Sequence, residues 1–130
     1  LLNTHELKFF NEVEWMYLSE DNEETAKYVI TIKISDETPL TNWREIKKAI
    51  EKISDERCKQ FMTSSDGRCA AFFVVSNLVA RGIRSVLNGD TGMIRLSPLL
   101  AGDSIFVAEI DDENWTAMGF STGWSWLQHQ

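Results

Sequence analysis

The sequence predicts an α+β domain, a four-stranded antiparallel sheet with two helices on one of its faces. Three observations carry this expectation. Residues 28–35 (YVITIKIS) alternate in a way that suits a strand with one buried and one wetter face. Residues 68–87 begin as a continuous apolar run, break at Ser76-Asn77, and continue with helical spacing of apolar residues. Residues 104–110 (SIFVAEI) form a second short, strand-like apolar segment.

Residues 7–18 place Leu7, Phe10, Val13 and Tyr17 near helical spacing, so a short helix or irregular arm is expected there. Residues 20–24 are a polar break. The first strand follows, and then a loop holding Pro39. Asn42 stands where a helix N-cap belongs, with Glu45 three residues on in capping-box spacing. Trp43, Ile46, Ala49, Ile50 and Ile53 line one side of that helix, and Arg44, Lys47, Lys48, Glu51 and Lys52 the other.

Two strand-like segments, 58–63 and 68–76, flank Ser64-Ser65-Asp66-Gly67, which suits a hairpin. Asn77 is the expected cap of the second helix, whose stripe is Leu78, Val79, Ile83, Val86 and Leu87. Residues 91–102 form a long connection with room for an extra short strand. The last core strand is 104–110. Beyond it, Phe120, Trp124 and Leu127 are spaced for a terminal helical turn capped by Ser121. The organisation expected is one ferredoxin-like βαββαβ domain, with an acidic N-terminal arm (1–27), the core (28–110) and a Trp-rich C-terminal extension (111–130).

Composition bounds the function. The chain has 130 residues and a net charge of −7, unevenly spread. Residues 1–24 carry seven acids against Lys8, residues 44–95 carry ten bases and six acids, and residues 96–130 carry five acids and no base. An acidic protein is a poor generic nucleic-acid binder, although Arg44, Lys47, Lys48 and Lys52 offer a local basic face. No apolar run reaches the ~20 residues of a membrane span, and no secretory signal is visible, so a cytoplasmic protein is expected. Cys58 and Cys69 read as reduced, buried thiols, with a disulfide as the lesser reading. His5 and His129 lie at opposite ends, which excludes a four-ligand Cys/His zinc site. No metal site and no cofactor is expected.

Four stretches together resemble the SinR-like proteins, relatives of the small ferredoxin-fold endonuclease subunit of CRISPR spacer-acquisition complexes. They are YVITIKIS, FFVVSNLVARGIRSVL, AGDSIFVAEI, and the closing Trp115, Gly119-Phe120-Ser121 and Trp126-Leu127. The resemblance implies a ferredoxin-like homodimer. In its nuclease members an Asp near the end of the first strand binds a divalent metal across the dimer. Here the matching position holds Lys33, whose ammonium cannot coordinate a cation. Asp36, three residues on, is the remaining candidate and would hold magnesium only in a different register. The segment 89–102 and the acidic arm also depart from the family.

Asp36-Glu37 and Asp111-Asp112-Glu113 are the densest carboxylates, and both read more readily as turn residues than as metal ligands. No Ser or Cys has an obvious His partner. Phe72 and Phe73 suggest an RNA-stacking sheet, but only one of two adjacent residues can face outward, and core packing is the simpler reading. Trp115, Phe120, Trp124 and Trp126 read as tail packing or an interaction patch. The leading expectation is a non-catalytic protein-interaction module, homodimeric, in a host–phage or toxin–antitoxin setting. A magnesium-dependent endonuclease through Asp36 and a non-cleaving nucleic-acid binder are the alternatives.

Overall fold

The computed structural model describes residues 24–89, 98–119 and 123–130. Strand β1 (Ala26–Lys33) leads through a 3-10 turn at Leu40–Asn42 into helix α1 (Trp43–Ser54). Strands β2 (Cys58–Thr63) and β3 (Cys69–Ser76) form a hairpin. Helix α2 (Ala80–Asn88), strand β4 (Ser104–Ile110) and a short helix α3 (Gly123–Gln128) complete the order. The four strands lie in the order β2-β3-β1-β4, and every neighbouring pair is antiparallel. Each of α1 and α2 therefore joins two parallel strands that have a third strand between them.

The alternation in β1 sorts the sheet into two faces. Tyr28, Ile30 and Ile32 point to the same side as Ala70, Phe72 and Val74 of β3, and all are buried. Ile46 and Ile50 of α1 and Ile83, Val86 and Leu87 of α2 pack onto them, with Ile105 and Val107 of β4 at the margin. Each fully buried Ile or Leu of this layer contributes about 1.5–3 kcal/mol of transfer free energy. The Tyr28 hydroxyl donates to the Leu78 carbonyl at 2.8 Å, so the one polar atom on this stripe is satisfied.

Several expected boundaries and caps are corrected. The first strand begins at Ala26 and ends at Lys33, two residues earlier at each end than the alternation suggested. Asn42 sits at the N-cap position but makes no capping bond; its amide donates to the Pro98 carbonyl at 2.6 Å and ties α1 to the connection before β4. The second helix begins at Ala80 rather than after Asn77. Its approach is held by Ser76, whose hydroxyl accepts from the Leu78 N–H at 3.1 Å and donates to the Ile53 carbonyl at 2.7 Å. Leu78 is buried as expected, but from the loop preceding the helix.

The hairpin is as the sequence implies. Gly67 takes φ +73°, its N–H donates to the Ser64 carbonyl, and Asp66 Oδ1 accepts from the Arg68 N–H and the Ser64 hydroxyl. Those bonds, the Arg68 N–H first, hold the Asp66 carboxyl below its ordinary pKa. The expected N-terminal helix, the Ser121 cap and Phe120 lie outside the described residues, as does most of the connection where an extra strand had room.

Candidate interaction site

The odd-numbered residues of β1 and β3 and the even-numbered residues of β4 form the face away from α1 and α2. Register places Phe73, Val29 and Ala108 in one row across β3, β1 and β4, and Ala71, Thr31 and Phe106 in the next. The two halves of this face differ. Over β3 it is sealed, while the residues of β2 beside it are half-buried. Ala71 and Val75 are buried and Phe73 is 9% exposed. Phe61 of β2 stacks on Phe73, ring centroids 3.9 Å apart and planes 9° from parallel.

Phe61 lies on this side with Lys59, the partner of Phe73, and the register slip between Gln60 and Met62 makes Phe61 the extra residue of a bulge. Helix α3 lies against it. A Cβ on Gly123 would collide with the Phe61 side chain, so only glycine permits this approach. One turn later on the same side of α3, Leu127 is 1% exposed.

Over β1 and β4 the same face is open. Phe106 is 63% exposed. Val29, Thr31, Ala108 and Ile110 are half-buried around it. Lys33 stands exposed at one end of this strip, opposite Ser104. Lys27 stands at the other, its ammonium 2.9 Å from Asp112. Beyond Lys27 lies an open pocket of about 760 Å³ whose charged lining is Lys27, Arg57, Glu109, Asp111, Asp112 and Glu113.

The residues singled out from sequence are dispersed. Asp36 and Glu37 are exposed in the turn after β1. Asp111 turns back to accept the Glu113 N–H at 2.9 Å, and Asp112 pairs with Lys27. Among the described residues no three His, Cys, Asp or Glu gather where they could hold a metal ion. Arg44, Lys47, Lys48 and Lys52 are all exposed on α1, but Glu45 and Glu51 interrupt them, and Lys48 lies 3.8 Å from Glu45. The expected basic face is therefore a mixed one. Phe72 and Phe73 point to opposite faces and both are buried, so core packing, the simpler expectation, holds and β3 offers no stacking platform. Trp115, Trp124 and Trp126 are half-buried, with Trp124 and Trp126 flanking the buried side of α3. Trp43 is half-buried against the helix-side core, and its indole donates to the Gly67 carbonyl at 2.7 Å.

Both cysteines are free and half-buried. Burial pushes the Cys58 thiol up, with its contact to Ser54 pulling the other way, so Cys58 is a poor thiolate nucleophile.

Two residues of consequence escape a sequence reading. One is Phe106, hidden because SIFVAEI is apolar on both sides of its alternation. The other is Asp103. Its Oδ1 accepts from the Ser35 N–H at 2.8 Å and the Thr38 hydroxyl at 2.7 Å, and its Oδ2 from the Leu100 N–H at 2.8 Å. The Arg68 guanidinium donates to the carbonyls of Ser35, at 2.9 Å, and Thr38. This clasp joins the loop after β1, the hairpin and the lead-in to β4, and it spends the Asp103 carboxylate on structure.

No helix among the described residues is long and apolar enough to cross a membrane. No family model, curated protein or solved structure matches the chain.

Proposed function

We propose that this chain is a non-catalytic, ferredoxin-like interaction module that acts in the cytoplasm as a homodimer. The observation that carries the reading is the half-open sheet face. A sheet buries its apolar side unless that side meets a partner, and large exposed aromatics embedded in an apolar strip mark interaction surfaces. Phe106, bordered by Val29, Thr31 and Ala108, is such a residue. The resemblance to SinR-like proteins points the same way, and with it a host–phage or toxin–antitoxin setting.

Two features weigh against metal-dependent phosphodiester cleavage. By that resemblance Lys33 falls where the nuclease members carry a metal-binding acid, and the Asp103 carboxylate already accepts three hydrogen bonds. The mixed charge of α1 gives little support to a phosphate-binding face.

Sedimentation equilibrium from about 1 μM to about 1 mM tests the reading, since this window spans the affinities of weak to moderate dimers. The expected result is concentration-dependent dimerisation, weakened at least about tenfold by Phe106→Asp, the penalty for placing a charge at the centre of an apolar contact. A monomer throughout that range overturns it.

A further inference from the structure

We infer that the open strip over β1 and β4 is covered by the chain's own N-terminal arm, residues 7–18, which any partner of that strip must displace. This adds regulation to the proposed interaction site and uses the homodimer reading only for what the arm excludes.

No described residue covers Phe106, which is 63% exposed and bordered by Val29, Thr31 and Ala108. The arm lies outside the described residues, and its sequence and its point of attachment fit it to this strip. Eight of the twelve residues 7–18 are apolar, and Leu7, Phe10, Val13 and Tyr17 fall near helical spacing. So apolar a segment needs a surface to bury against. The opposite end of the chain behaves in this way: α3 packs on Phe61, which stacks on Phe73.

Length and attachment agree. A twelve-residue helix is ~18 Å long and ~10 Å across, and two strands ~4.8 Å apart make a strip ~10 Å wide and ~20 Å long. The chain enters β1 at Ala26, at the end of the strip where Lys27 faces Ile110. Residues 19–25 join the arm to that point. Extended, seven residues reach ~25 Å, and the layer above a sheet lies only ~10 Å away, so the arm can turn back along β1. The helix side of the sheet is filled by α1 and α2, and Phe61 covers Phe73, so the strip is the apolar surface left to it on this sheet.

Charge agrees as well. The outward residues of β1 and β4 include two charged ones, Lys27 and Lys33, both positive. Residues 1–24 carry seven acids against Lys8. An arm running back from Ala26 brings Glu6 toward the Lys33 end.

Area favours a tethered occupant. The strip offers a footprint of ~200 Å², well short of the ~800 Å² per partner typical of a stable complex. A tethered segment does not need that area, because a short connection holds it at an effective concentration in the millimolar range. A second copy at ~1 μM is outnumbered about a thousandfold and competes only as its own concentration approaches that range.

The experiment places the photo-crosslinker benzoylphenylalanine at position 106 of the full chain. Equal amounts of ¹⁵N-labelled and unlabelled protein are mixed at ~1 μM, where the tethered contact prevails, irradiated, and mapped by mass spectrometry. The expected products are single-isotope peptides joining position 106 to residues 7–18. In parallel, the full chain carrying Phe10→Ser with Val13→Ser is sedimented. It should dimerise at a concentration at least about tenfold lower than the parent chain, because masking divides the apparent affinity by the fraction of open strip. Crosslinks elsewhere in the chain, no crosslink, or crosslinks to 7–18 in mixed-isotope peptides alone overturn the inference and leave the homodimer standing. An unchanged dissociation constant in a dimerising double variant does the same. Parent and variant both monomeric throughout, with the single-isotope crosslink present, remove the homodimer and uphold the arm's seat.

Discussion

The two halves of the sheet's outer face are built from the same kind of residue and have opposite fates. Phe73 and Phe106 are both aromatic, both on antiparallel strands, and lie in adjacent rows of one surface. Phe73 is sealed beneath Phe61, on which α3 packs, and Phe106 lies open. The difference is one of position and not of side-chain chemistry. The C-terminal helix is six residues long and packs on β2, through Gly123 against Phe61. What is exposed on this face is set by what packs over it, and exposure of an aromatic there is a stronger functional pointer than its presence in a strand.

The sharpest way to break this contrast is to truncate both rings. Phe73→Ala should cost about 3–5 kcal/mol in urea unfolding, the usual penalty for removing a buried aromatic. Phe106→Ala should cost under about 0.5 kcal/mol, as an exposed substitution does, and should weaken self-association. Comparable losses in the two variants would mean that the halves are not distinct. Asp103→Ala comes next. It removes an acceptor shared by three donors and should cost about 2–3 kcal/mol, because buried groups left without partners bear the full desolvation penalty. Since the clasp holds the loops at one end of the sheet, the dissociation constant of the dimer should not move; a shift would tie the open half to the clasp.

A smaller effect probes the helix-covered face. Burial raises the Tyr28 hydroxyl above its ordinary value near 10, with Glu109 adding to the shift. The folded state therefore holds that proton more tightly than the unfolded state does. The resulting stabilisation is complete below about pH 10 and is lost as pH rises beyond it. Tyr28→Phe should lower stability by about 1 kcal/mol at neutral pH and remove that alkaline decline. A decline that persists in the variant assigns it to another group.

How much of this was legible follows from the range of each interaction. The strands and helices could be read because alternation and helical spacing are local, and β2 and β4 have the bounds their patterns suggest. The caps misled because a short polar residue before a helix has other uses: Asn42 binds Pro98, fifty-six residues away, and the second helix starts only after Leu78 and Val79. The outer face could not be divided from sequence. Which apolar residues of β4 stay open depends on its edge position and on where the tail packs, and neither is written into SIFVAEI. Asp103 looks like any acid after a glycine, because its donors come from residues 35, 38 and 100.

The bulge at Phe61 has a further consequence, for solution behaviour. An irregular edge strand is a poor template for strand addition, and β2, one of the sheet's two edges, carries that irregularity. Among the described strands β4 is left as the one regular edge. Edge-to-edge pairing between copies then stops at two, because a growing fibril needs two competent edges on every molecule. The residue that anchors the C-terminal helix thus also guards the chain against open-ended polymerisation.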